Sequence, residues 1–134
     1  MKLRNPALLK DRCYIDGAWV GSPAEEVRNP ATGEVVGRVP VLGADETRRA
    51  IEAAEAAFGP WAKRTARERS QILRRWFDLI MANQEDLALI MTTEQGKPLA
   101  EARGEVAYAA SFVEFYAEEA KRIILEAIDR AKGA

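Results

Sequence analysis

The 134-residue chain contains no histidine and a single cysteine, Cys13. Without imidazole the common zinc sites and the Ser-His-Asp and Cys-His catalytic pairs are excluded, and one cysteine cannot close an intrachain disulfide. Net charge is nearly absent as well, since 20 basic residues against 21 acidic ones leave −1. No global field draws the chain to nucleic acid or to anionic lipid, so neither is an expected partner. Charged residues interrupt every candidate helix before the roughly 20 apolar residues that a membrane span requires. The first residues are not followed by the apolar run of a secretory signal. A cytoplasmic location is therefore expected. What is present is a globular composition, 48% hydrophobic and 31% charged, in a length that suits one domain of about 100 to 150 residues and excludes two full catalytic domains.

The chain changes character near Gly43. Residues 1–43 hold four of the six prolines and five of the nine glycines, with many valines, which is strand-and-turn composition. Asp16-Gly17 predicts a tight turn inside Tyr14–Val20, and Pro30 with Gly33 punctuates a second hairpin between Val27 and Val39. From residue 44 the pattern is helical. Ala50, Ile51, Ala54, Ala57 and Phe58 recur at helical spacing over residues 45–58, and Gly59-Pro60 is expected to close that helix. Thr65 and Glu68 match a capping box that starts a second helix with a buried stripe of Ile72, Leu73, Trp76 and Ile80. Asn83 is expected to cap a third, carrying Leu87, Ile90 and Met91 and stopped by Gly96 and Pro98. A long last helix runs from Pro98 to about Lys132, its stripe including Val106, Ala109, Ala110, Val113, Tyr116 and Ala120, and Lys132-Gly133 reads as its stop. The expected fold is α+β, predominantly α: short N-terminal hairpins (1–43) beside about four helices, in one domain.

Residues with chemical potential have plainer readings. Cys13 has no neighbouring base and reads as a structural thiol. Gln95-Gly96-Lys97-Pro98 lacks the rest of a phosphate loop, and no glycine set forms a dinucleotide fingerprint. Glu52, Glu55, Glu85, Asp86, Glu114, Glu118 and Glu119 lie on helices and are expected to be solvated charge. Arg64, Arg67, Arg69, Arg74 and Arg75 read as an ordinary helix surface. Trp19, Trp61 and Trp76 are expected to fill a core. No catalytic, cofactor-binding or metal residue emerges.

Several blocks taken together resemble the N-terminal region of aldehyde dehydrogenases: Tyr14–Val20, Asn29–Val35, Ala50–Phe58 followed by Trp61, Arg69 with Ile72-Leu73, and Glu94–Ala102. The run Gln95–Phe112 is similar to bacterial succinate-semialdehyde dehydrogenases, and the resemblance covers roughly residues 8–122. It implies oxidation of an aldehyde to an acid with NAD or NADP by the whole enzyme, using a cysteine nucleophile, a glutamate base and an asparagine at the oxyanion site. Those residues lie downstream of the region matched, and Cys13 does not match the catalytic-cysteine motif, so no catalytic role carries over and no cofactor is expected for this chain alone. The resemblance further implies that the helix bearing Tyr108, Ser111 and Phe112 contributes a wall of the substrate tunnel, with packing as the alternative role for Tyr108 and Phe112.

Residues 123–134 continue the helix with good helix formers and an apolar stripe where the family leaves it through a glycine- and proline-bearing turn. The expectation is an excised N-terminal segment, inactive alone, given a designed helical end. The rival is an engineered scaffold or self-association module, a homo-oligomer formed through its helical face or C-terminal helix. Independent NAD(P) binding is a third reading, with no motif behind it.

Overall fold

The computed structural model describes the backbone of residues 1–132 and the side chains of residues 1–122. Local turn chemistry builds its N-terminal part. Asp16 and Gly17 take φ of 50° and 78°, the left-handed pair required by a two-residue hairpin. They join β1 (Cys13–Ile15) to β2 (Ala18–Val20), antiparallel with Tyr14 opposite Trp19. The two rings lie 5.1 Å apart, and Lys10 Nζ stands 4.8 Å over Trp19. β3 (Glu25–Arg28) and β4 (Val35–Val39) form the second antiparallel pair, with an irregularity between Val27 and Arg28. In its turn the Asn29 side chain accepts the N–H of Ala31 at 2.9 Å, and Arg28 donates to the Gly33 carbonyl at 2.8 Å.

Four helices follow: α1 (Ala44–Lys63), α2 (Ala66–Ala82), α3 (Gln84–Gln95) and α4 (Leu99–Lys132). The fold is α+β and mostly helical, as its residue pattern predicts. α1, however, runs through Gly59-Pro60 and ends only at Arg64, which is extended. Pro60 removes one helical N–H near the end of an exposed stretch, where water can satisfy the freed carbonyl. The capping box of α2 forms as predicted. Thr65 Oγ1 accepts the Glu68 N–H at 3.2 Å, and Glu68 Oε2 accepts the Thr65 N–H at 2.8 Å. Asn83 behaves differently from its expected role. Its side chain makes no cap bond to α3 and instead donates to the Leu79 carbonyl at 2.8 Å, closing α2. Gly96 ends α3 in the left-handed conformation. The expected stop at Lys132-Gly133 and the apolar side chains beyond Arg122 lie outside the described residues.

The core is built on α4. Ala102, Val106, Ala110 and Ala117 are buried, at spacings that place them on one face of a 3.6-residue helix. Both α2 and α3 pack against that helix. Ala88 of α3 meets Ala102 and Val106, with Ile80, Leu87, Met91 and Leu99 around them. Small side chains at such a contact allow close approach of the helix axes.

Several predicted core positions are outside this core. On α2, Ile72 and Trp76 are exposed, whereas Ser70 is buried and Leu73, Phe77 and Ile80 are half-buried. The helix carries two apolar stripes, and α4 covers the other one. Ile51 and Phe58 of α1 are exposed, as are Ala109 and Tyr116 of α4. Trp19 is exposed and Trp61 only half-buried, so the three tryptophans do not fill a common core.

Candidate functional site

The long helix that supplies the core also presents an aromatic face. Tyr108, Phe112 and Phe115 recur at spacings of four and three, which at 100° per residue places them away from the stripe of Ala102, Val106 and Ala110. Tyr108 is 66% exposed, Phe112 48% and Phe115 56%. Tyr108 and Phe112 form an edge-to-face pair with centroids 4.9 Å apart and planes at 77°, the geometry that aromatic quadrupoles prefer. Neither ring is spent on this chain's own core. Ser111 lies between them in sequence, exposed, and its hydroxyl donates to the Tyr108 carbonyl at 2.7 Å. The structure thus gathers the three residues singled out by resemblance on one exposed stretch of α4. Phe115, which they did not include, extends the same stripe, and its i+3 spacing from Phe112 was the available signal.

What holds α4 in place is polar as well as apolar. Arg103 donates to both oxygens of Glu85 at 2.8 to 3.1 Å. That hydrogen bonding holds the Glu85 carboxyl below its usual range and pushes the Arg103 guanidinium higher still. Next to it, Asp86 departs from its expected solvated role. It is 6% exposed, and its carboxylate accepts the backbone N–H groups of Arg4 and Asn5. Glu68 is also held below the usual glutamate range, first by the Thr65 hydroxyl and then by the Thr65 backbone N–H. Arg69 is a further correction to the reading of an ordinary basic surface, because it is half-buried.

The described sheets do not have the parallel-strand frame of a dinucleotide fold. Both sheets are two-stranded antiparallel hairpins, whereas a dinucleotide fold places the pyrophosphate at a glycine turn leading from a parallel strand into a helix. Among the described residues no group of three His, Cys, Asp or Glu could hold a metal ion. Cys13 is a free, half-buried thiol in β1. No helix among the described residues is long and apolar enough to cross a membrane.

The sequence model of the aldehyde dehydrogenase family matches residues 19–134. Glutarate-semialdehyde dehydrogenase of Pseudomonas aeruginosa is 59% identical over 126 residues, covering 92% of this chain and 26% of that protein. The NADP(+) succinate-semialdehyde dehydrogenase of Escherichia coli is 54% identical over 126 residues, with the same coverage. The crystal structure of succinate-semialdehyde dehydrogenase from Burkholderia pseudomallei superposes with a TM-score of 0.84 at 59% identity, over 91% of this chain and 26% of that one. That of an aldehyde dehydrogenase from Brucella melitensis biovar abortus reaches 0.86 at 55% identity, again over 91% and 26%. The chain therefore spans about a quarter of the length of the relatives it matches. Because the family match runs through residue 134, residues 123–134 do not fall outside the family as expected, and a designed origin for them has no support.

Proposed function

The chain belongs to the aldehyde dehydrogenase family, and from that premise we propose that it is a structural portion of an NAD(P)-dependent semialdehyde dehydrogenase, inactive alone, whose α4 face walls the substrate passage. One observation carries this reading: the exposed stripe of Tyr108 and Phe112 turns away from the core that this chain builds for itself, in a fold that superposes on about a quarter of complete dehydrogenases. A large exposed aromatic surface marks a site where another surface or a ligand packs. Relatives named for glutarate and succinate semialdehydes point to an aldehyde that bears a carboxylate at its far end.

In this reading NAD or NADP is held by the rest of the enzyme, where it supplies the hydride acceptor. The residues of this chain orient and enclose. Tyr108 and Phe112 exclude water from the aliphatic part of the substrate, and the Ser111 hydroxyl satisfies itself on the Tyr108 carbonyl one turn back. Glu85 and Arg103 fix the helix relative to α3.

The test is an assay of NAD(P)H formation from succinate and glutarate semialdehydes, by the chain alone and after mixing with the remaining three quarters of the Pseudomonas relative. No turnover is expected alone, and turnover is expected on mixing, with Tyr108→Ala and Phe112→Ala raising KM more than they lower kcat. Turnover by the isolated chain refutes the structural role. Kinetics unchanged by both substitutions remove the wall. Light scattering of the chain alone at several concentrations reads the competing occupant of the exposed face, a second copy.

A further inference from the structure

Away from that face, one groove combines a cation with apolar walls. Trp61 near the end of α1, Arg69 and Leu73 on the first turns of α2, and Tyr116 and Ala120 on α4 line an open space of about 430 Å³. Among the described residues Arg69 Nε is buried without a hydrogen-bond partner, and none of their ion pairs includes its guanidinium. A buried N–H of a cationic group without an acceptor is unfavourable, and native structures normally supply one. Glu119, on the wall of the same groove, does not reach it; its Oε2 accepts from Arg122 Nε at 2.8 Å. Arg69 therefore stands on this wall as a cation that no carboxylate pairs among the described residues.

We propose that this groove binds a small monocarboxylate on a short aliphatic stem, the oxygens accepting from Arg69 and the stem lying against Trp61, Leu73 and Tyr116. A guanidinium presents a planar fork of donors that matches a carboxylate. The apolar surfaces of Trp61 and Leu73 beside the buried Nε lower the local dielectric and strengthen a charge-assisted hydrogen bond made there. A single unpaired cation balances a monoanion and leaves a dianion under-compensated, and the apolar lining has no use for a bare inorganic ion. The site is distinct from the wall assigned to Tyr108 and Phe112 and does not depend on that reading.

The probe is sodium pentanoate, titrated at constant ionic strength into the isotopically labelled 134-residue chain and followed by nuclear magnetic resonance. The Arg69 Nε–H and Trp61 indole N–H signals are expected to shift together and saturate. Pentanol, which has the stem without the charge, and chloride, which has the charge without the stem, are expected to leave them in place. Arg69→Gln is expected to weaken the apparent affinity by about tenfold or more, the loss of a charge-assisted hydrogen bond, whereas Arg75→Gln leaves it unchanged. A linear drift without saturation, saturation by pentanol or chloride, or full affinity in a folded Arg69→Gln chain overturns the proposal. The three titrations of the unsubstituted chain decide the matter even if Arg69→Gln does not fold.

Discussion

Asp86 Oδ2 accepts the backbone N–H of Asn5 at 2.7 Å, across 81 positions of sequence. Oδ1 takes the N–H of Arg4 at 3.0 Å, so one carboxylate in the first turn of α3 fastens the start of the chain to the helical core. The negative charge is also well placed against the positive end of the α3 dipole. Asp86→Ala leaves two backbone donors without their acceptor and is expected to lower stability by about 1.5 to 3 kcal/mol, with Asp86→Asn milder. Urea unfolding measures the loss, and amide exchange at Arg4 and Asn5 locates it. Unchanged exchange at those two amides in Asp86→Ala would show that the carboxylate does not hold the segment.

Gly96 is constrained twice. Its φ is +75°, and a Cβ built on it would lie 2.8 Å from Cγ of Pro30, in the turn of the second hairpin. Gly96→Ala is expected to cost about 1 to 3 kcal/mol, from the left-handed backbone and from the clash. Pro30→Ala in the same chain removes Cγ and should recover part of the loss, leaving the backbone contribution. Thermal melts of the two single variants and the double variant form the cycle; strict additivity would mean that the hairpin turn does not press on Gly96.

The capping box at Thr65 has a pH signature. Glu68 is hydrogen-bonded by Thr65 in its ionised form and its carboxyl is held below the usual range. Its contribution is complete above the pKa that an unfolded chain gives to glutamate and disappears as pH falls through the lowered folded value. Thr65→Ala is expected to destabilise the chain by about 0.5 to 2 kcal/mol at neutral pH and to return the Glu68 titration toward the ordinary glutamate value. A carbon-detected titration of the Glu68 carboxyl tests this, and a midpoint the same in both chains would contradict it.

The two faces of α4 should respond in opposite ways. Ala110 is fully buried, so Ala110→Leu overpacks the helix contact and is expected to cost about 1 to 3 kcal/mol. Phe112 is about half exposed, so Phe112→Ala is expected to change the stability of this chain by no more than about 0.5 kcal/mol while altering KM in the reconstituted enzyme. Denaturant midpoints of the two variants check the contrast. A large loss in Phe112→Ala would place that ring in the core rather than on a working surface.

How much of this was legible in the sequence follows from the range of each interaction. The Asp16-Gly17 turn, the Thr65-Glu68 box and the Gly96 stop each depend on residues within four positions, and each is present as read. The blocks from Tyr14 to Ala102 also sufficed for the family resemblance, from which the proposed role of Tyr108, Ser111 and Phe112 follows. Pro60 does not end α1 as its residue type predicts, because a proline near an exposed helix end is tolerated where one in a packed interior is not.

By itself, then, the sequence determined the hairpins, the four helices and the mostly helical α+β class, because turn chemistry, capping and propensity act locally. Only the tertiary structure decided which apolar stripe of each helix is covered. α2 offers Ile72 and Trp76 on one side and Leu73, Phe77 and Ile80 on another, and periodicity ranks them equally until α4 takes its place. The same holds for polar groups. Asp86 and Arg69 look like solvated charges in a helical pattern, yet one is buried by backbone from the far end of the chain and the other is half-covered in a groove between helices. Burial is a property of what packs on a residue, and that partner is set by long-range packing rather than by neighbours in sequence.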